Sequence, residues 1–225
     1  MTSKETVLET FRFHKTPHIP YNLYLEHLDP ETRKRLDDYY GTSDWDRNVL
    51  QYIYGAQYVG LGFTDIGNDL MRDPFGTVFY KDNWTHRVSS PLHQADLRDY
   101  SWPDPEILAD WHELEGAYIA NEEKFRICGV IFGFFERAIF LRGMENTLMD
   151  MIDNPGFVHE LMDAYLDLRL RAFDLLIDRI PFEAVLGGGD DCDNRGPLMG
   201  IERWREFIKP RIAREIDHIH SMGKL

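Results

Sequence analysis

Asp190, Asp191, Asp193, Asn194 and Arg195 crowd into one short stretch behind Gly187-Gly188-Gly189, with Cys192 among them. Adjacent carboxylates in a site of low dielectric raise each other's pKa, so one can hold a proton near neutral pH and release it during a reaction. Asp190 and Asp191 are the candidate catalytic pair on that ground. The alternative is that one caps the next helix or pins the Gly-rich turn through backbone N–H groups. Arg195, with Asn194 beside it, suits a bidentate grip on a substrate carboxylate or phosphate. Its alternative is an ion pair with Asp191 or Asp193. Cys192 is at most a weak candidate for a soft metal ligand, because no His neighbours it. Glu136 and Arg137 follow the apolar residues 127–132, and Asp65 with Asn68 follows residues 58–63. Both sets lie just past a buried-strand signal and are candidates for substrate binding. For Glu136 and Arg137 a helix-start charge pair is an equal alternative. His112-Glu113 lacks the second His of a zinc protease helix. His218 and His220 face different ways on a helix and read as a solvated end. Phe132, Phe134, Phe135 and Phe140 are core by default, with a wall for a flat macrocycle as the other reading.

These residues need elements to hold them. Short apolar runs at 19–25, 58–63, 127–132 and 184–189 read as buried strands, and residues 77–80 as an edge strand after the turn Asp73-Pro74-Phe75-Gly76. Helical signals alternate with them. Asp29 before Pro30 is an N-cap with Pro at the first helical position, and Ser101 to Pro105 opens a helix carrying Leu108, Trp111, Glu115, Tyr118 and Ile119. Asn154-Pro155 opens the clearest helix, whose inner stripe is Val158, Leu161, Met162, Tyr165, Ala172, Phe173, Leu176 and Ile180, with Pro181 as its stop. Trp204, Phe207, Ile208, Ile212, Ile216 and Ile219 mark a last helix that Gly223 ends. Near-continuous apolar strands between helices mean a parallel sheet covered by helices. An open doubly wound sheet and a (β/α)8 barrel both fit. The absence of a GxGxxG phosphate loop weakens the first, since Gly60-x-Gly62 with Asp65 is not that fingerprint.

Bulk properties narrow the function. A chain of 225 residues supports one core, and 43% hydrophobic residues with no long apolar run argue against a membrane span. The start, MTSKETVLETFRFHK, has no apolar signal core. Two cysteines far apart suit free thiols in a reducing cytoplasm. A net charge of −14 repels nucleic acid and anionic lipid.

Several segments together carry a resemblance. They are Asp73-Pro74-Phe75-Gly76, Pro91-Leu92, Tyr100-Ser101-Trp102-Pro103-Asp104-Pro105, Phe135-Glu136-Arg137 and Leu141-Arg142-Gly143-Met144-Glu145-Asn146. Further along are Asp153-Asn154-Pro155, Gly189-Asp190-Asp191, Gly196-Pro197-Leu198 and Trp204-Arg205-Glu206-Phe207-Ile208-Lys209-Pro210. In this order the sequence resembles the uroporphyrinogen decarboxylase superfamily, in particular its decarboxylase-like branch with corrinoid-linked methyltransferases. The resemblance implies a TIM-like (β/α)8 barrel, with residues 1–225 as a single N-terminal portion whose last strands are missing. It also departs from the family. An arginine-rich substrate motif is expected after the first strand, where Tyr24-Leu25-Glu26-His27-Leu28 stands. The decarboxylase tyrosine and serine fall near Ile139 and Asp191. The resemblance therefore implies one-carbon chemistry with zinc and a corrinoid protein, the zinc ligands lying beyond Leu225. Uroporphyrinogen decarboxylation, which needs no cofactor, and a non-catalytic tetrapyrrole-binding protein are the alternatives. A homodimer and a cytoplasmic location complete the expectation.

Overall fold

The structure, a computed structural model, describes residues 1–21, 28–45, 52–59, 62–82, 86–130 and 132–225. It opens with helices α1 (Ser3–Phe11) and α2 (Pro30–Tyr40), then strand β1 (Ile53–Val59). Four short strands follow, β2 (Thr64–Gly67), β3 (Leu70–Arg72), β4 (Val78–Tyr80) and β5 (Arg87–Ser89). A 3-10 turn (Pro105–Leu108), α3 (Trp111–Ile119) and β6 (Phe125–Val130) lead to three helices: α4 (Phe134–Arg142), α5 (Met144–Asp153) and α6 (Pro155–Arg179). The chain then forms β7 (Ala184–Val185), a small hairpin β8 (Cys192–Asp193) and β9 (Gly196–Pro197), and a last helix. That helix is α7 (Ile201–Arg203), a π turn (Trp204–Ile208) and α8 (Lys209–Ser221) in one run.

The centre is a parallel three-stranded sheet in the order β1-β6-β7, and β2 to β5 form a separate antiparallel meander. The chain is thus an α/β protein with a parallel sheet. Among the described residues the sheet is open, so a closed barrel is not what these strands form. Leu225 adds to its edge: its N–H donates to the Glu183 carbonyl and its carbonyl accepts from Val185 N–H, the pattern of a parallel ladder.

Strand expectations and observed strands differ in instructive ways. Residues 19–25 fall largely outside the described set. Of the strand expected at 58–63 only Tyr58 and Val59 belong to β1, which starts at Ile53; residues 60 and 61 lie outside the described set, and Gly62 and Phe63 are in no strand. The β1 sequence IYGAQYV does not alternate, because Gly55 sits in a bulge at φ 129° with the Ile127 carbonyl against it. β6 begins at Phe125, and Phe132 already lies in the left-handed region at φ 66°. Strand β7 ends at Val185, with a last hydrogen bond from Leu186 N–H to the Cys128 carbonyl before Gly187 to Gly189 leave the sheet. The single helix expected after Ser101 is two pieces, each with its own aspartate cap, Asp104 and Asp110.

α6 follows the sequence closely. Val158, Leu161, Met162, Tyr165, Ala172, Phe173 and Leu176 are all buried in the main core, with Ile180 at its end. Gly223 takes φ 73° and donates to the His220 carbonyl, ending α8 as a left-handed cap. The π turn has a local cause. Pro210 lacks an N–H and would crowd the carbonyl four residues back, so the helix widens there.

The two ends of the sheet are treated differently. α1 covers the amino ends of the strands, packing Val7 and Leu8 on Tyr52, Ile53, Phe125 and Ala184. Lys4 adds an ion pair to Glu183, which Arg126 also grips in a fork. The carboxyl ends are left to the loops after β6 and β7.

Candidate functional site

Both loops at the carboxyl ends are glycine-lined, and they touch. A Cβ on Gly133 would stand 2.7 Å from the Gly189 Cα and 2.8 Å from the Gly188 carbonyl oxygen. Only glycines let the two backbones pass this closely. The contact brings two carboxylates together. A Cβ on Gly189 would lie 3.3 Å from Asp191 Oδ1 and 3.3 Å from Glu136 Oε2, so the two oxygens are at most twice that distance apart.

Each carboxylate is then fixed by its own chain. Glu136, in the first turn of α4, folds back and accepts the Gly133 N–H at 2.9 Å. Asp191 Oδ2 accepts the indole N–H of Trp204 at 3.2 Å, while its Oδ1 is buried without a hydrogen-bond partner. Burial pushes both carboxyls above their ordinary range. For Glu136 the charges of Asp190 and Asp191 add to it against the Gly133 hydrogen bond, and for Asp191 the charge of Asp190 adds to it against Trp204.

Asp191 lines a cleft of about 470 Å³, and Glu136 approaches it from behind Gly189. Gly187, Gly188 and Gly189 form one side, with Gly133 and Phe134 beside them. Ile208, Ile212, Ile216 and Ile219 form an apolar wall. Its basic lining residues, among those described, are Arg169 and His220. A larger groove of about 770 Å³ lies beside α3, but Asp110 there is occupied in capping that helix.

The expected residues are distributed unevenly. Asp191 and Glu136 approach each other at Gly189, with Asp191 lining the cleft. Asp190 is exposed beside them and acts through its charge. Arg137, next to Glu136, turns into the core: its side chain is 1% exposed, pairs with Asp73 at 2.6 Å and lies over the ring of Phe75. It thus lies against Asp73 and Phe75, apart from the lining of the cleft. Arg195 pairs with Asp193 on the exposed β8–β9 hairpin, with Asn194 exposed at its turn. Asp65 sits on the exposed meander, held by Lys81 and the Gly67 N–H. Cys192 is exposed, and Cys128 is buried with its thiol pushed up to about 11. Among the described residues no three His, Cys, Asp or Glu side chains converge as a metal set. Phe132, Phe134 and Phe135 are core residues. Trp204 was expected only to pack in the helical layer; it packs on the core and also reaches Asp191. His218 pairs with Asp174 at the surface.

Two residues beside the site, Arg169 and Glu215, carry no sequence signal of their own, while Tyr165 was legible only as part of the buried stripe of α6. Arg169 is buried, and its fork meets Glu215 at 2.8 and 2.6 Å. A charged pair on the inner faces of α6 and α8 was legible only as two charged residues among apolar ones.

The fold and the cleft define an α/β protein with a parallel sheet and a carboxyl pair at the carboxyl ends of its strands, where such sheets hold their ligands. No family model and no curated protein matches the sequence. The structure is similar to that of a methyltransferase from Methanosarcina mazei, with a TM-score of 0.63 and 12% identity. The likeness covers 100% of this chain and 68% of that chain. At that identity it is a likeness of fold. Among the described residues no helix is long and apolar enough to cross a membrane.

Proposed function

We propose that this chain is an enzyme of the uroporphyrinogen decarboxylase superfamily, on a (β/α)8-type plan, and that it performs methyl transfer. The segments of resemblance and the fold likeness to a methyltransferase support the class. The strand order β1-β6-β7 advances in one direction, as barrel winding does, with the site at the carboxyl ends.

The observation that carries the reading is the charge state of the site. Arg137 is neutralised by Asp73, Arg169 by Glu215 and Arg195 by Asp193. The cleft instead presents the Asp191 carboxyl with its raised pKa, Glu136 close behind it, and an apolar wall. A polycarboxylate such as uroporphyrinogen would face those carboxyls without a free arginine, and an unpaired buried anion costs several kcal/mol. A neutral methyl donor and a thiol acceptor meet no such barrier.

In this chemistry Asp191 and Glu136 move one proton. The acceptor's S–H proton passes to the ionised member of the pair. The sulfur forms its bond to the methyl carbon as the carbon's bond to the donor breaks, and that electron pair leaves with the donor. Zinc and a corrinoid protein belong to this reading, but the described residues do not form a zinc site. The steps assigned here are therefore those of the carboxyl pair alone. Free thiols suit the cytoplasmic location that goes with the reading.

The test is an anaerobic assay with methylcobalamin and a thiol, with and without zinc, beside one with uroporphyrinogen. Methylated thiol should form, and Glu136→Gln or Asp191→Asn should slow it roughly 100-fold. Coproporphyrinogen at about 1 s⁻¹ or faster would overturn the reading in favour of decarboxylation.

A further inference from the structure

The contact between Gly133 and Gly189 depends on Phe132, whose φ of 66° is disfavoured for a bulky side chain. Something must hold it there. Its carbonyl accepts two hydrogen bonds, from the Tyr165 hydroxyl at 2.9 Å and from Arg169 Nη1 at 2.7 Å. The same Nη1 lies 3.4 Å from the Val130 carbonyl and 3.4 Å from the Tyr165 oxygen. Glu215 fixes the other side of the guanidinium, Oε2 to Nε and Oε1 to Nη2. The side chains of Arg169 and Glu215 are 2% and 8% exposed, and Tyr165 is buried.

Tyr165 and Arg169 stand one turn apart on α6, Glu215 comes from α8, and Phe132 follows β6. Their bonds therefore tie two helices to the carboxyl end of the central strand. Because Glu215 neutralises Arg169, the clamp grips the backbone without presenting a net positive charge to the carboxyl pair. The groups that face Glu136 remain the Asp190 and Asp191 carboxylates with the N–H groups of Gly133 and Asp190, and Asp191 faces Trp204 and the Asp190 carboxylate. His220 lines the same cleft.

We infer that Arg169, oriented by Glu215 and assisted by Tyr165, is a positioning residue for the carboxyl pair. It holds Phe132 in the left-handed turn, which presses Gly133 against Gly189 and keeps Glu136 and Asp191 close together and partly out of water. The role rests on the acid–base reading of that pair. An arginine suits it because one planar fork must reach a carboxylate and a carbonyl together, which a lysine does not do.

The experiment reads the carboxyls directly, without turnover. Protein carrying ¹³C-labelled Asp and Glu side chains is titrated by NMR as wild type, Arg169→Lys and Tyr165→Phe, with thermal unfolding beside it. Arg169→Lys keeps a cation for Glu215 but loses the bridge. With it, Glu136 should titrate about one pH unit lower, a tenfold loss in proton affinity, and Tyr165→Phe should shift it the same way by less. Variants that unfold at lower temperature while Glu136 and Asp191 titrate as in wild type would overturn the inference. If Arg169→Lys does not fold, Tyr165→Phe decides, since it keeps the ring packing and removes one donor. A loss of the shift without loss of methyl transfer would count against the pair as the acid–base centre, not against the clamp.

Discussion

Asp191 and Glu136 are kept partly out of water with little to satisfy them, and this has a consequence for stability. Their pKa values are raised, so the folded chain binds more protons than the unfolded one between the ordinary carboxylate range and the raised values. Stability therefore falls as pH rises through that window, and the cost is fully present above the raised values. Glu136→Gln and Asp191→Asn should each stabilise the fold at pH 7, by less than about 1 kcal/mol because half-exposed groups are screened. The gain should vanish as pH is lowered, and urea denaturation at pH 4 and pH 7 measures it. A gain that grows toward acid pH would mean that the carboxylates are stabilised, not strained. The two thiols make a second contrast. Cys192 is exposed and Cys128 is buried with its thiol pushed up to about 11. A thiol reagent at pH 7.5 should modify Cys192 quickly in the native protein and reach Cys128 only on unfolding.

Among the elements, the loops after β6 and β7 hold the least tolerance for change. Gly133→Ala drives a methyl into the Gly189 Cα and the Gly188 carbonyl, both backbone atoms that cannot swing aside. It should cost about 1–3 kcal/mol, in line with other overpacked sites, read as a lower urea midpoint. Gly116→Ala, on α3 with open space around it, is the control and should stabilise slightly. The last helix shows the same economy of position. Pro210 widens it into a π turn, and the residue at the head of that turn is Trp204, which donates to Asp191.

Across the whole molecule, one buried ion pair ties the antiparallel meander to the helices. Asp73, in the turn before β4, accepts the N–H groups of Phe75 and Thr77 and pairs with Arg137 of α4, both side chains 1% exposed. Asp73→Asn leaves a buried guanidinium without its counter-charge and should cost about 3–5 kcal/mol. Asp96→Asn breaks an ion pair to Arg98 that lies at the surface and should leave the unfolding midpoint almost unchanged. Comparable losses in the two variants, by thermal or urea unfolding, would show that the Asp73 pair is not the tie described.

The sequence by itself determined what local chemistry decides. Pro30, Pro155 and Pro181 set helix limits, the stripe of α6 set its buried face, and the run of carboxylates behind three glycines marked the loop where the site lies. Periodicity needs only neighbours along the chain, so these were legible. Tertiary structure decided which carboxylates meet. Glu136 joins Asp190 and Asp191 because two glycines far apart in sequence allow two backbones to touch. Arg137 and Arg195 differ in the same way: one is drawn into the core by Asp73, distant in the chain, and the other stays on its own hairpin with Asp193. The Arg169–Glu215 clamp was invisible for the same reason, since a charged residue on an apolar helix face takes its meaning only from the partner that folding places against it.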